Sequence, residues 1–285
     1  MKFAMGDYGH ELRFGIFVPP EAARERSLLR LIRLSDEIGL EVLAVQDHPY
    51  QPAFLDTWTL LSYVAATTRN ITLLPAVANL PLRPPAVLAR SVTTLDILSG
   101  GRIELGLGAG AFWDAIDAMG GEKRTPGQAL RALREAITVI RALWGEGRPV
   151  VDGEFYRLRG AKAGPPPPRR VGIWLGVYGP KALRLAGELA DGWLGGYTYA
   201  PPDMLSRLMN GIDTGAREAG RVPGLIRRAY VIDPSMTVQQ LTEVALADGI
   251  SEFLLPVAPD GEWETQRYAA ETAPAVRAAV AAARV

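Results

Sequence analysis

An aspartate and a histidine are neighbours in the stretch VQDHPYQP, where Asp47 and His48 follow an apolar run and precede Pro49 and Pro52. The ordinary pKa of histidine suits proton transfer near neutral pH, and an adjacent carboxylate can fix which ring nitrogen carries the proton. The prolines restrict the backbone that presents the pair. The stretch therefore predicts a general acid or base, or a ligand contact, with a purely structural hydrogen bond from His48 as the alternative. The other histidine, His10, precedes the first apolar run and is expected to lie in solvent.

Glycines alternate in LGLGAGAFWD, at Gly106, Gly108 and Gly110. A glycine has no Cβ, so a flat or bulky ligand can approach its backbone, and this segment predicts one wall of a binding site. Easier packing at the rim of the domain is the alternative interpretation. The spacing is not that of the dinucleotide-binding fingerprint, because the third glycine falls at the wrong position.

A second glycine-containing segment, GVYGPKAL, predicts an anion site. Gly176 and Gly179 allow a free loop, and Pro180 suits the first turn of a helix. Amide groups at a helix start bind phosphate well, and Lys181 adds a positive charge. The same composition is also typical of an ordinary turn.

Two polar residues follow the apolar run LLPAV. Asn79 can offer its amide to a polar ring edge, although a turn cap explains it equally well. Arg83 stands between Pro81 and Pro84 and is interpreted as a structural surface residue.

The composition excludes several classes of function. The 285 residues include 31 basic and 31 acidic side chains, so no overall field recruits nucleic acid or a membrane. The absence of cysteine excludes disulfides, thiolate metal sites and a cysteine nucleophile, and we expect no metal site. The first twenty residues lack the apolar run of a secretory signal, which predicts a cytoplasmic protein.

Short apolar runs alternate with longer helical patterns along the whole chain, as in a βα repeat. The apolar runs predict strands at Leu12–Val18, Glu41–Val45, Ile71–Val77, Arg102–Leu107, Gly172–Val177, Gly192–Leu194, Ile226–Ile232 and Glu252–Pro256. The intervening patterns predict helices at Glu21–Ile38, Thr57–Thr67, Pro85–Leu98, Gly127–Leu143, Pro180–Leu189, Pro202–Ala219, Val238–Ala247 and Glu262–Ala283.

The strand runs are apolar throughout, which is typical of parallel strands covered on both faces. Eight strands and eight helices predict one α/β domain over residues 1–285, a (β/α)8 TIM barrel, with a six-stranded doubly wound sheet as the alternative. After the fourth helix, PVVDGEFYRL predicts a β-hairpin insertion with a tight Asp152-Gly153 turn, and AKAGPPPP predicts an extended linker. In such a barrel the chemical residues collect at the carboxyl ends of the strands, which is where the segments above fall.

Three of these segments, in this order, resemble the bacterial luciferase-like family of flavin- and coenzyme F420-dependent oxidoreductases. They are the Asp47-His48 pair, the stretch from Pro81 to Gly110, and the stretch from Gly176 to Trp193. The resemblance implies a TIM barrel that binds FMN or F420 over its mouth, with the phosphate at the fifth loop.

The resemblance also implies roles for individual residues. His48 would lie beside the cofactor ring and exchange a proton or hydrogen bond with substrate, with Asp47 in support. A cis peptide bond would fall at Ala76-Val77. The implied cofactor-binding residues are His48, Ala76, Val77, Asn79, Gly106, Gly108, Ala109, Gly110, Asp114, Gly176, Val177, Tyr178, Gly179, Pro180 and Lys181.

The Asp-His pair is more similar to the F420 branch than to the FMN branch. Where sugar-phosphate dehydrogenases of that branch carry a glutamate proton donor, this chain has Ala111, so their specific activity is not expected. Phe112, Trp113 and Asp114 predict instead an aromatic substrate wall with one acid that touches the ring.

The resulting hypothesis is hydride transfer between F420 or FMN and a small organic substrate. The alternatives are an FMN-dependent monooxygenase, a non-catalytic flavin carrier or sensor, and an aldolase- or isomerase-type barrel that binds a sugar phosphate. The apolar helices at Thr57–Thr67 and Pro85–Leu98 favour a homodimer, although core packing explains them equally well.

Overall fold

The structure is a computed structural model that describes residues 6–285. Its strands are β1 (Arg13–Val18), β2 (Val42–Val45), β3 (Thr72–Pro75), β4 (Ala78–Asn79), β5 (Leu105–Gly108), β6 (Val150–Asp152), β7 (Arg157–Arg159), β8 (Ile173–Leu175), β9 (Gly192–Gly196), β10 (Arg227–Val231) and β11 (Glu252–Pro256). Its α-helices are α1 (Glu25–Glu37), α2 (Thr57–Thr67), α3 (Pro85–Ser99), α4 (Trp113–Ala118), α5 (Pro126–Leu143), α6 (Pro180–Leu189), α7 (Pro202–Glu218), α8 (Val238–Asp248), α9 (Glu262–Arg267) and α10 (Ala273–Ala283).

The large sheet is parallel and closes on itself. Its strands lie in the order β3-β2-β1-β11-β10-β9-β8-β5-β4. A parallel bridge between Leu73 and Ile103 joins β3 to the segment that leads into β5, which closes the ring. Because β4 continues β3, the barrel has eight strands, and the predicted TIM barrel is confirmed over the doubly wound alternative.

Apolar side chains fill both sides of the barrel wall. Seven residues form the cluster inside the barrel: Val42, Ala44, Leu74, Trp174, Leu194, Ala229 and Leu254. A larger cluster packs the outer face of the strands against the helices. Burial on both faces explains why these strands are apolar throughout instead of alternating.

Several predicted boundaries differ from the structure. The predicted third strand stops at Pro75 and resumes at Ala78, and the peptide bond between Ala76 and Val77 is cis, as the resemblance implies. The six residues of α4 have no counterpart in the prediction, because so short a helix shows no hydrophobic periodicity. The last predicted helix is divided into α9 and α10 by a π-helical turn over Tyr268–Thr272.

The hairpin insertion is present, but its turn is not the predicted one. Asp152 pairs with Arg157, so the loop between β6 and β7 has four residues instead of two. The carboxylate of Glu135 on α5 accepts hydrogen bonds from the backbone amides of Glu154, Phe155 and Tyr156. A side chain from outside the hairpin therefore shapes the loop, and the Asp-Gly pair alone does not reveal this.

Carboxylates organise the amino-terminal ends of the strands, here called the bottom of the barrel. Glu252 is buried and receives Arg13 at 2.9 Å and Arg227 at 3.0 Å. Glu104 pairs with Arg169 at 2.8 Å and accepts the backbone amide of Gly172. These bonds satisfy donors that the strand starts would otherwise leave unpaired.

Asp36, near the end of α1, also accepts hydrogen bonds from backbone amides at the start of a strand. Its carboxylate accepts the backbone amides of Arg69, Asn70 and Ile71, each at 2.8 Å. Burial opposes ionisation, but the three donors outweigh it and hold the pKa of Asp36 below its usual range.

Among residues 6–285, no helix has the length and hydropathy needed to cross a bilayer.

Candidate active site

A cavity of about 770 Å³ opens at the carboxyl ends of the barrel strands. Twelve of the predicted site residues line it: Asp47, His48, Ala76, Val77, Asn79, Gly108, Ala109, Gly110, Gly176, Val177, Tyr178 and Gly179. Its size is within the range of small-molecule and cofactor sites. The fold thus gathers segments that are far apart in the sequence at one mouth.

His48 is half-buried in this cavity, and its partner is not the one predicted. Nδ1 lies 3.0 Å from Nε2 of Gln46, and the ring stacks on Tyr50 at a centroid distance of 5.2 Å. Phe112 meets the His48 ring edge-on at 5.6 Å. With the amide nitrogen of Gln46 toward the ring, Nδ1 accepts a hydrogen bond and the ring proton lies on Nε2.

The environment favours the neutral imidazole. Burial lowers the pKa of His48 below its ordinary value, against the opposing effect of the Asp47 charge. His48 is therefore a neutral group near pH 7 that can exchange a hydrogen bond or a proton with a bound molecule.

Asp47 does not brace His48, which corrects the sequence interpretation. Its buried carboxylate receives Nε and Nη2 of Arg83, both at 2.7 Å, and the backbone amide of Asn79 at 3.0 Å. Arg83 also donates to Asp56, the N-cap of α2, at 2.7 Å. Burial opposes the charge of Arg83, but the Asp47 carboxylate outweighs it and holds the pKa of Arg83 above its usual range. Asp47 thus fixes the backbone around the site, and Arg83 is structural as predicted.

Asn79 has an unsatisfied acceptor in the cavity wall. The residue is 6% exposed, and its Oδ1 has no hydrogen-bond partner among the described residues. Buried polar atoms are nearly always paired, so an orphan acceptor on a cavity-lining residue is available to a donor that arrives with a ligand. An N–H on a ring edge is such a donor.

The alternating glycines fit both interpretations, because Gly108 and Gly110 line the cavity and neighbouring protein atoms fill the space of the missing Cβ atoms. A Cβ on Gly106 would lie 2.0 Å from the Pro75 carbonyl oxygen, and Gly106 is outside the cavity lining. A Cβ on Gly108 would lie 2.6 Å from Val77 Cγ2, and one on Gly176 would lie 3.0 Å from Val77 Cγ1. Because Gly108 and Gly176 have no Cβ, the side chain of Val77 fits between their strands and forms an apolar part of the cavity floor.

The amino terminus of α6 faces the cavity without obstruction. A Cβ on Gly179 would meet no atom within 4 Å, and Gly179 and Ala182 both line the cavity. The first amides of a helix have no partner within the helix and carry partial positive charge. Pro180 and Lys181 are exposed and lie outside the lining, so here only the backbone faces the cavity.

Three further expectations need correction. Asp114 lies outside the cavity lining, because its side chain is 98% exposed and pairs with Lys123 at 2.8 Å. Trp113 packs against Gly110 instead of forming a cavity wall. His10 is half-buried, and its Nε2 lies 2.7 Å from the carbonyl oxygen of Gly224.

Sequence reasoning missed much of the cavity wall. The main omissions are Gln46 and the aromatic residues Tyr50, Tyr197 and Tyr199. Gln46 and Tyr50 flank the predicted pair within VQDHPYQP, so position alone could have indicated them. The other two tyrosines follow β9, where the sequence shows no motif. Among the described residues, no group of acidic or histidine side chains could hold a metal ion.

The cavity fits a flat ring that carries a phosphate. Val77 provides an apolar floor, Asn79 provides an unpaired acceptor, and the start of α6 provides amide donors. These features lie on different strands around one opening. The fit rests on the donor and acceptor chemistry of the lining.

Comparisons with known proteins agree with this geometry. The sequence model of a family described as luciferase-like monooxygenase matches residues 12–284. The chain is 35% identical over 214 residues to 5,10-methylenetetrahydromethanopterin reductase of Archaeoglobus fulgidus, and 30% identical over 219 residues to F420-dependent glucose-6-phosphate dehydrogenase of Microbacterium testaceum. Each match covers 74% of this chain but 60% and 64% of the two relatives, so the chain spans less than two thirds of either.

Solved structures share the fold. An F420-dependent secondary alcohol dehydrogenase in complex with an F420-acetone adduct has a TM-score of 0.82 at 20% identity, covering 94% of this chain and 99% of that one. The oxygenating constituent of 3,6-diketocamphane monooxygenase from Pseudomonas putida, in complex with FMN, has a TM-score of 0.76 at 17% identity, covering 93% and 98%.

Proposed function

Because the chain belongs to the luciferase-like monooxygenase family, we propose that it is an oxidoreductase that transfers hydride between a deazaflavin or flavin cofactor and a small organic substrate. The observation that carries this proposal is the cavity at the barrel mouth, which His48 and Asn79 both line and where Asn79 Oδ1 has no hydrogen-bond partner among the described residues. When bound, the cofactor supplies the site that accepts or donates the hydride. The chain supplies binding, orientation and proton exchange.

We favour F420 over FMN. The relative from Microbacterium testaceum is named as F420-dependent, as is the secondary alcohol dehydrogenase among the structural neighbours. The Asp47-His48 pair also resembles the F420 branch. FMN stays the alternative, because a structural neighbour binds it. With FMN, reaction with oxygen and monooxygenation would become the expected chemistry.

The lining suggests how the cofactor is held. Val77 and Ala76 would support one face of the ring, and Asn79 Oδ1 would accept a ring N–H. The amides at the start of α6, beside Gly179, would hold the phosphate. Lys181 is exposed at the same helix start and adds positive charge there.

His48 manages the proton. In the oxidation of an alcohol, the amide oxygen of Gln46 would face Nδ1–H, so that the free Nε2 of the neutral imidazole accepts the hydroxyl proton as the hydride leaves the carbon; in the reverse direction Nε2 returns that proton. The amide of Gln46 thus decides whether Nε2 accepts or donates, because either its nitrogen or its oxygen can face Nδ1. Gln46 is therefore a positioning residue for His48.

A non-catalytic carrier or sensor is the second candidate, because the same cavity would serve it. An aldolase- or isomerase-type barrel is less well supported, since no lysine lies among the described cavity-lining residues. Replacement of His48 by alanine separates the first two. A catalyst loses turnover and keeps its cofactor, whereas a carrier loses only affinity.

Two finer expectations also stay proposals. A homodimer would use the exposed apolar side chains on α2 and α3, which are Tyr63, Val87, Ile97 and Leu98. A cytoplasmic location follows only from the sequence pattern.

Cofactor titration tests the proposal. Purified protein is titrated separately with F420 and with FMN, and absorption and fluorescence are recorded. We expect saturable spectral change with F420 at lower concentration than with FMN. The reverse order would assign the chain to the FMN branch, and no change with either would overturn the proposed function.

A further inference from the structure

The cavity offers no positive side chain to a substrate. Among the described residues that line it, none is lysine or arginine. Of its two acidic side chains, Asp47 pairs with Arg83, whereas Asp233 accepts hydrogen bonds from Ser235 at Oδ1 and has no ion pair among the described residues. A carboxylate or phosphate on the substrate would lose its hydration without gaining a positive side chain as counter-charge, which is costly.

Aromatic rings form much of the remaining wall. Tyr50 and Phe112 stand 6.0 Å apart and both contact His48. Tyr178 and Tyr199 are paired at 5.5 Å and also line the cavity. Burial raises the pKa of Tyr50 and of Tyr178 to about 12, so these hydroxyls stay uncharged at physiological pH. The walls are therefore flat, polarisable and neutral.

Phe112 has an unusual backbone for its position. It is the only non-glycine residue between 6 and 285 with a positive φ, at φ 57 and ψ 53. The left-handed conformation is unfavourable for a residue with a Cβ. The residue is nevertheless 57% exposed, so burial of its ring does not offset the free-energy cost of this conformation. An exposed aromatic ring held over a site in an unfavourable conformation indicates a binding role.

We propose that the substrate is a flat molecule with a carbonyl or hydroxyl group and without an anionic group, and that Phe112 is the residue that selects it. The ring of Phe112 contacts the substrate face while His48 takes its oxygen. The reaction in this inference rests on the proposed function, whereas the binding preference does not depend on it. The small side chain of Ala111 leaves space beside Phe112 on the same loop.

The test uses two probes of similar shape and different charge: acetophenone and benzoate. Binding is measured by saturation-transfer NMR on the protein alone and on protein saturated with F420. We expect acetophenone to bind, and benzoate to bind at least tenfold more weakly. Equal or tighter binding of benzoate overturns the inference, as does the absence of acetophenone binding.

The variant Phe112→Gly tests the residue itself. Because glycine adopts this φ without cost, the variant keeps or raises the Tm, while acetophenone affinity falls about three- to tenfold, the contribution of one aromatic contact. Trp263→Ala, at an exposed aromatic on α9 outside the cavity lining, is the control and leaves affinity unchanged. Unchanged affinity in Phe112→Gly would refute the role of Phe112. Failure of the proposed function would appear separately, as a lack of spectral response to F420 and FMN.

Discussion

Polar side chains at the two ends of the barrel differ in how completely the protein satisfies their hydrogen bonds. At the bottom, buried carboxylates such as Glu252 and Asp36 are fully engaged by arginines and strand-start amides. At the mouth, Asn79 Oδ1 is buried and has no partner within residues 6–285, and His48 makes one side-chain hydrogen bond. Glu252 and Asp36 at the bottom are therefore satisfied by the protein, as Asp47 is at the mouth, whereas Asn79 Oδ1 and His48 are available to a ligand.

This difference separates stability from function within one closed sheet. Groups that are already bonded contribute to folding, and removing one of them leaves a buried partner unpaired. Groups that are incompletely bonded contribute little to folding and can bind. Substitutions at the bottom should therefore change unfolding, and substitutions at the mouth should change binding and turnover.

The largest effect is expected at His48. His48→Ala removes the group that exchanges the substrate proton and should lower kcat about 10²- to 10⁴-fold, with F420 affinity nearly unchanged. The Tm should move little, because the ring is half-buried and bonded only through Gln46. Steady-state kinetics and thermal unfolding on the same preparation check both. Parallel loss of cofactor binding and turnover would contradict the proton-transfer role.

At the opposite end, Glu252→Gln should lower the free energy of unfolding by about 2–3 kcal/mol, because Arg13 and Arg227 lose their shared charge partner. Urea unfolding measures the change, and Glu37→Gln at an exposed position on α1 is the control. Cofactor affinity of the folded variant should equal that of the parent. A large loss of cofactor affinity in Glu252→Gln, with an unchanged free energy of unfolding, would contradict the assignment of this residue to stability.

Asn79→Leu should weaken F420 binding about three- to tenfold, since the ring loses one hydrogen-bond acceptor. The similar size of the side chain preserves packing, and removal of an orphan polar atom should leave the Tm unchanged or higher. Fluorescence titration and calorimetry measure the two quantities. A clear drop in Tm would mean that Asn79 is already satisfied in the free protein.

The smallest effect is a shift in pH dependence. Burial lowers the pKa of His48, so the neutral base persists below pH 6.5, and alcohol oxidation declines only as pH falls through the lowered pKa. Gln46→Glu places a carboxylate beside Nδ1 and should move that decline to higher pH. NMR titration of the two histidines reads both pKa values directly. The resonance of His10, whose pKa is also lowered by burial, is an internal control and should not move.

The same pKa predicts a modest pH dependence of stability. Because the folded state holds the pKa of His48 below its ordinary value, the unfolded chain binds more protons on acidification. The stability that the neutral His48 ring contributes to the folded state is fully present above pH 6.5, and it declines as pH falls toward the lowered pKa of His48. Half-exposure of the ring keeps this effect small.

Much of the fold could be predicted because apolar runs and helical periodicity are local properties. The eight barrel strands and the position of Asp47-His48 follow from such patterns. The pairing of Asp47 with Arg83 could not be predicted, since it joins residues 36 positions apart that only the folded barrel brings together. The contact of Val77 with Gly106 and Gly108 could not be predicted for the same reason, because Val77 reaches these glycines only after the strands have closed into a ring.

Arg83 joins the loop after β2 to the start of α2, since it holds both Asp47 and Asp56. This double anchorage leaves the histidine-bearing loop with little freedom to swing aside. Entry and exit of molecules should then pass over the far rim, where Tyr197 and Tyr199 are exposed. With the histidine-bearing loop anchored at two points, the proton-exchanging group would keep its alignment while molecules pass over the opposite rim.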